Sequence, residues 1–133
     1  ADILYGNVSP SGKLPVTFYR SDDDLPDFED YSMNNRTYKY FTGIPLYPFG
    51  FGLSYTKFEY SKLFIENNTV SVTIKNTGKM DGKTVVQIYR EFPNDPDMPL
   101  KQLVAFKKVH IPAGEKTDVQ FYLDDTENIF CSY

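Results

Sequence analysis

Apolar and polar residues alternate strictly in the second half of the chain, most clearly across residues 69–75. There Val70, Val72 and Ile74 are separated by polar side chains, which is the pattern of an antiparallel strand with one buried face. Further strand-like runs, separated by turn residues, occupy residues 58–66, 84–90, 100–111 and 119–123. About five strands at this spacing are typical of a β-sandwich.

The apolar side chains of these runs define a predicted core between two sheets. Along residues 100–111 the apolar positions change parity, which predicts a β-bulge near Lys107 and Lys108. The core is expected to comprise Val70, Val72, Ile74, Val86, Ile88, Phe106, Val109, Val119, Phe121 and Leu123.

Residues 1–56 differ in pattern from residues 57–133, so we interpret them as a region distinct from the sandwich at 57–133. Residues 1–6 are typical of the last turns of a helix, with Gly6 after its end, so the chain reads as starting inside a domain. Residues 14–18 predict a short edge strand. From Tyr19 to Tyr55 the many prolines, glycines and aromatic residues predict an ordered connection without regular secondary structure that packs against the sandwich.

Composition and charge narrow the possible function classes. With 14 Lys and Arg against 18 Asp and Glu, the net charge of -4 provides no basic face for a phosphate backbone, which excludes nucleic acid as a partner. No apolar run approaches the roughly 20 residues of a membrane span, and no signal-peptide pattern is present. One cysteine and one histidine exclude an internal disulfide and a usual four-ligand zinc site, and no cofactor is expected. The compartment stays open between cytoplasmic and secreted or periplasmic.

The candidate catalytic groups favour structural interpretations. Six carboxylates lie between Asp22 and Asp30, but adjacent acids in a proline-containing loop are solvated, whereas glycoside hydrolysis needs two carboxyl groups held rigidly apart. His110 lies in a strand and has no serine or cysteine in a nucleophile-elbow context. No catalytic residue is predicted in this chain.

Aromatic residues are the outlying feature of the composition, at 17% of the chain with 11 Tyr and 11 Phe. They are densest between residues 38 and 60. Such rings could stack on sugar rings, or they could attach an irregular segment to a sheet or to a neighbouring domain, and we favour the second function. The candidate contacts are Tyr38, Tyr40, Tyr47, Phe49 and Phe51.

The junction of the two regions resembles a known family through two segments, RTYKYF at residues 36–41 and PLYPFGFGLSYTKF at residues 45–58. Family 3 glycoside hydrolases have similar segments where an α/β sandwich domain precedes a C-terminal fibronectin type III-like domain. The resemblance continues through SPSGKLPVTF at 9–18, VTIKNTG at 72–78, QIY at 87–89, LVAFKKV at 103–109 and PAGE at 112–115.

This resemblance implies a mainly β fold, an immunoglobulin-like, fibronectin type III-like sandwich that is incomplete and follows a remnant of an α/β domain. It also implies that the nucleophilic aspartate and the acid/base glutamate belong to upstream domains. The parent would be a retaining β-glycosidase that removes terminal β-linked xylose or glucose from oligosaccharides. Residues 27–33 resemble the β-xylosidase branch more than the β-glucosidase branch.

Two functions therefore stay open. The chain is either a non-catalytic structural portion of a β-glycosidase, with the other domains of the parent as partners, or a free-standing carbohydrate-binding or adhesion module. A fibronectin type III-like sandwich has about seven strands, and about five are counted here. The ten residues after Leu123 cannot supply two further strands and the turn between them, so the sandwich is expected to be open at one edge. We expect self-association of the chain, through edge pairing or through exchange of residues 1–19.

Overall fold

Seven β-strands and two short helical turns make up the regular structure of the computed structural model, which describes residues 1–93 and 95–132. The helical turns are a 3₁₀ turn at Asp22–Asp24 and a single α-helical turn, α1, at Thr37–Tyr40. The strands are β1 Phe58–Tyr60, β2 Phe64–Glu66, β3 Thr69–Asn76, β4 Gly82–Glu91, β5 Lys101–Ile111, β6 Lys116–Tyr122 and β7 Ile129–Ser132.

The strands form two antiparallel sheets that do not close on themselves. In the first sheet, β3 pairs with β6 on one side, and on the other side with β1 and β2 at its opposite ends. In the second sheet, β4 lies between β5 and β7. The mainly β, fibronectin type III-like sandwich predicted from the sequence is confirmed. There are more strands than predicted because residues 58–66 form two strands and because β7 adds a partner for β4.

The core between the sheets agrees with the predicted one at most positions. Val70, Val72, Ile74, Val86, Ile88, Val119 and Phe121 are buried, and Val109 and Leu123 pack against them while partly exposed. Ile111, which the predicted core left out, is 0% exposed. Since burying one such side chain contributes about 1.5 to 3 kcal/mol, this cluster is the main source of stability.

Phe106 is the error in the predicted core, because its side chain is 68% exposed. The pairing of β4 with β5 shifts register beyond Ile88, which pairs with Ala105, whereas Tyr89 pairs with Leu103. Val104 is therefore the extra residue of a β-bulge, three positions before the predicted site. Because of this position, Ala105 and Val109 point towards the core and Phe106 points to the outer face.

The region before β1 is irregular but bonded to itself. Residues 1–6 form turns in which the Tyr5 N–H donates to the Ala1 carbonyl at 3.1 Å, and Gly6 adopts a φ of 76°. The strand predicted at residues 14–18 is reduced to a single bridge between Phe18 and Tyr47. The connection at residues 19–55, predicted to have no regular secondary structure, contains both helical turns, the 3₁₀ turn at Asp22–Asp24 and α1.

Candidate functional site

The outer face of β4 is buried although it points away from the core. Gln87 and Tyr89 alternate with the core residues Val86 and Ile88, yet they are only 6% and 2% exposed. Tyr38, Phe49 and Gly50 of the irregular region lie against them. The sandwich therefore has a third layer, which consists of the aromatic segment predicted from the sequence.

Three aromatic rings attach this layer to the sheet. The rings of Tyr38 and Phe49 stack with centroids 4.1 Å apart, and both meet the ring of Tyr89 edge-on, at 6.2 Å and 6.5 Å. The Leu103 N–H donates to the Tyr38 hydroxyl at 3.2 Å, and the Leu100 N–H donates to the Lys39 carbonyl at 2.7 Å. Ring packing and backbone hydrogen bonds together fix α1 against the start of β5.

Gly50 allows the chain to approach β4 closely. Its φ is 83°, and a Cβ atom on it would lie 2.7 Å from the Tyr89 hydroxyl and closer still to Gln87 Oε1. The Tyr89 hydroxyl donates to Gln87 Oε1 at 3.0 Å, so both polar groups are satisfied beneath the glycine. Burial raises the pKa of Tyr89 to about 12, which keeps this phenol protonated as a donor.

A buried asparagine joins the end of the irregular region to the sandwich. Asn76 Oδ1 accepts hydrogen bonds from the Thr56 hydroxyl at 2.6 Å and from the Gly78 N–H at 3.1 Å. Its Nδ2 donates to the carbonyls of Met80 and Ile111, each at 2.9 Å. All four hydrogen-bonding positions of the amide are used, so Thr56 is fixed beside the end of β3 and the start of β4.

A cleft of about 570 Å³ opens beside the aromatic layer, and we call it the apolar cleft because its lining is mostly apolar. Its walls are held by backbone bonds, since the Leu14 N–H donates to the Phe51 carbonyl and the Phe18 N–H to the Tyr47 carbonyl, each at 2.8 Å. Burial lowers the pKa of Lys13, the charged residue of the lining. The principal side chains of the cleft are those of Leu14, Phe18, Tyr47, Phe51 and Leu53.

Exposed apolar side chains are concentrated in the same region of the chain. Most of the large hydrophobic residues that are exposed lie within residues 1–55, including Leu4, Leu53 and Phe28, whose side chain is 92% exposed. Single exposed apolar residues are normal, but a region that exposes so many of them is typical of an interaction surface.

The structure divides the predicted aromatic contacts into two groups. Tyr38 and Phe49 belong to the layer on β4, whereas Tyr47 and Phe51 line the apolar cleft, and Tyr40 ends α1 and is half-buried. Sequence reasoning missed Gln87 and Tyr89, the two residues of β4 that the aromatic layer covers. The signal was present, because residues 85–89 read Val-Val-Gln-Ile-Tyr, a run too apolar for a strand with one wet face.

The carboxylate cluster forms an exposed loop. Ser21 caps the 3₁₀ turn at Asp22–Asp24, and the backbone and hydroxyl of Ser32 donate to Asp30, which lowers the pKa of that carboxyl. Within residues 1–93 and 95–132, no group of three or more His, Cys, Asp or Glu side chains could hold a metal ion. No helix in the same part of the chain is long and apolar enough to cross a membrane.

Two family profiles match the chain in order. The profile of the glycosyl hydrolase family 3 C-terminal domain matches residues 1–55, and that of the fibronectin type III-like domain matches residues 84–129. The chain is 47% identical to a xylan 1,4-beta-xylosidase of Xylanibacter ruminicola over 121 residues, which are 86% of this chain and 14% of that protein. It is 37% identical to a periplasmic beta-glucosidase of Salmonella typhimurium, over 93% of this chain and 19% of that protein.

The structural comparison agrees with these relatives. Beta-glucosidase 3B from Thermotoga neapolitana, solved in complex with glucose, superposes with a TM-score of 0.80 at 36% identity, over 91% of this chain and 20% of that one. The order of the two matched profiles, together with the fibronectin type III-like sandwich, defines the class of protein as the C-terminal region of a glycosyl hydrolase. The chain belongs to glycoside hydrolase family 3 and corresponds to that family's C-terminal region, as the sequence resemblance implied.

Proposed function

We propose that this chain is the non-catalytic C-terminal portion of a β-glycosidase and that it supports the upstream domains of its parent. The curated relatives are named β-xylosidases and β-glucosidases, and the chain spans between 14% and 19% of the length of the two described above. The proposed parent hydrolyses terminal β-linked xylose or glucose by a retaining mechanism with two carboxyl groups about 5 Å apart.

The apolar cleft is the observation that carries this proposal. A ligand site of this kind needs placed polar groups that orient the ligand, whereas the lining here is mainly apolar, with Lys13 and Tyr47 as the residues that have polar side chains. The proposed occupant is an apolar surface of the upstream polypeptide, since most of the length of each relative lies outside the matched region.

The alternative, a free-standing carbohydrate-binding module, has less support. Tyr38 and Phe49 stack on each other and meet Tyr89 edge-on, so these rings pack within the chain.

Catalysis by this chain itself also has little support. The carboxylates of the acidic loop are mostly exposed, which does not favour the desolvated general acid that a glycosidase requires.

A chimeric enzyme tests the proposal. We would replace the matched region of the Xylanibacter ruminicola xylosidase with this chain and measure hydrolysis of a chromogenic β-xyloside. We expect an active enzyme, whereas a chimera carrying Leu14→Asp and Leu53→Asp loses activity or stability because charges enter the apolar cleft. Tyr122→Asp is the control, because Tyr122 lies on β6 of the first sheet, outside the lining of the apolar cleft, and is 72% exposed.

The isolated chain supplies the complementary measurement. It should neither hydrolyse the chromogenic β-xyloside nor be retained on immobilised unsubstituted xylan or glucan. Hydrolysis by the isolated chain, or equal activity of the cleft and control chimeras, would contradict the proposal.

A further inference from the structure

A second concave surface, of about 880 Å³, lies between residues 3–12 and one end of the sandwich. We call it the lysine cleft. Its floor is the outer face of the second sheet, on the part of β4 that precedes the aromatic layer. The lining residues used below are Asn7, Ser11, Lys79, Lys83, Lys108 and His110.

Three ammonium groups border this cleft in a chain whose net charge is -4. Within the described residues, the ion pair with a distance below 4.0 Å is Arg90–Asp125, so Lys79, Lys83 and Lys108 have no carboxylate that close. Asp81 is the acidic residue of the lining, and its Oδ1 accepts a hydrogen bond from the Ala113 N–H at 2.9 Å.

Strand register brings the basic side chains together. Lys83 of β4 pairs directly with His110 of β5, and Lys108 pairs with the next outward residue of β4, Val85. Lys83, Lys108 and His110 therefore share one face, with their Cα atoms within neighbouring positions of the ladder. The ammonium groups of Lys83 and Lys108 repel each other in this arrangement, and an anion between them would relieve that repulsion.

The remaining walls suit a sugar rather than a simple ion. Asn7 and Ser11 contribute an amide and a hydroxyl, while Val8 and Met80 contribute apolar surface. This combination matches a pyranose ring, which has hydroxyls at its rim and C–H groups on its faces.

We propose that the lysine cleft binds a carboxylate-bearing sugar, a uronic acid linked to an oligosaccharide. The carboxylate accepts hydrogen bonds from the lysine ammonium groups and from the His110 ring N–H, while Asn7 and Ser11 bond ring hydroxyls. The choice of a sugar acid over other carboxylates rests on the polar and apolar walls of the cleft together with the proposed function in a β-glycosidase, whereas the site for an anion rests on the geometry alone.

The probe is xylotriose carrying one glucuronic acid, titrated into the full chain and followed by amide chemical shifts. We expect saturable shifts at residues 79–83 and 108–110, with affinity that falls as salt is added. Unsubstituted xylotriose and sodium acetate are the comparison ligands. Equal binding of xylotriose would show that the carboxylate is not recognised, equal binding of acetate would show a site for an ion only, and either result would overturn the proposal.

Matched variants locate the site. The double variant Lys83→Gln with Lys108→Gln should weaken binding of the acidic probe about tenfold. The control double variant, Lys62→Gln with Lys116→Gln, should leave it unchanged, because Lys62 lies between β1 and β2 and Lys116 lies in β6 of the first sheet. Equal affinity of both double variants would overturn the proposal. If the chain does not bind the acidic probe, the expected activity of the chimera is unchanged, and if the chimera is inactive, the expected binding of the acidic probe is unchanged. The two proposals can therefore fail separately.

Discussion

Gly50 combines two requirements at one residue. Its backbone lies in the left-handed region, which favours glycine, and its Cα faces the polar pair formed by Gln87 and Tyr89. Other glycines carry only one of these requirements or neither. Gly114 has a φ of 79° but open space where a Cβ atom would lie, and Gly12 likewise has open space and no positive φ.

We predict that Gly50→Ala lowers the free energy of unfolding by about 2 to 5 kcal/mol, because backbone strain and a steric clash add. Gly114→Ala should cost only the strain, about 1 kcal/mol. Gly12→Ala should change stability by less than about 0.5 kcal/mol. Urea denaturation monitored by tyrosine fluorescence gives the three values. Similar losses for Gly50→Ala and Gly114→Ala would mean that the close approach to β4 contributes nothing.

Strand β5 shows where sequence patterns lose predictive power at the scale of one element. Alternation located β3 and its buried face correctly, since its pairing with β6 is regular from Thr69 to Lys75. A parity change in β5 was equally visible in the sequence. Its position was not, because the apolar residues Val104 and Phe106 fit an inward register equally well until the partner strand is known.

The bulge makes a testable distinction between two apolar residues of β5. Ile111→Ala should cost about 2 to 5 kcal/mol because it leaves a cavity in the core. Phe106→Ala should cost less than about 1 kcal/mol, since the ring is 68% exposed. Thermal unfolding of both variants followed by circular dichroism measures the difference. A larger loss for Phe106→Ala would place the bulge at Lys107 and Lys108, as the sequence alone suggested.

The predicted site shows the same limit. Aromatic density along the sequence singles out Tyr38, Tyr47, Phe49 and Phe51 as candidates, because aromatic side chains bury large areas wherever they pack, and their contact with a sugar or another domain stays a prediction. Their division between the layer on β4 and the apolar cleft could not be predicted. It depends on backbone bonds such as those between residues 14–18 and 46–51, which join segments without a periodic pattern.

At the scale of the whole molecule, apolar surface is distributed unevenly. The sandwich buries its core, whereas residues 1–55 expose most of their large apolar side chains. Water penalises such a surface in the isolated chain, so a second copy is the occupant available in solution.

We therefore predict that the isolated chain self-associates as its concentration rises. Light scattering across a dilution series should show an average mass that increases with concentration, and Leu53→Asp should shift the increase to higher concentration. Tyr122→Asp, on the other sheet, should leave the dilution curve unchanged. A monomer at all concentrations would contradict both the edge-pairing and the segment-exchange forms of this prediction.

The aromatic layer also determines where such a sandwich can be transplanted. A graft that begins at residue 57 would leave behind Tyr38, Phe49 and Gly50, and the recipient would then expose to water the parts of Tyr89 and Gln87 that these residues cover. A graft that begins before residue 37 brings these rings with it. Protein engineers who recombine members of this family should therefore place the crossover upstream of α1, where the cut falls outside the layer that covers β4.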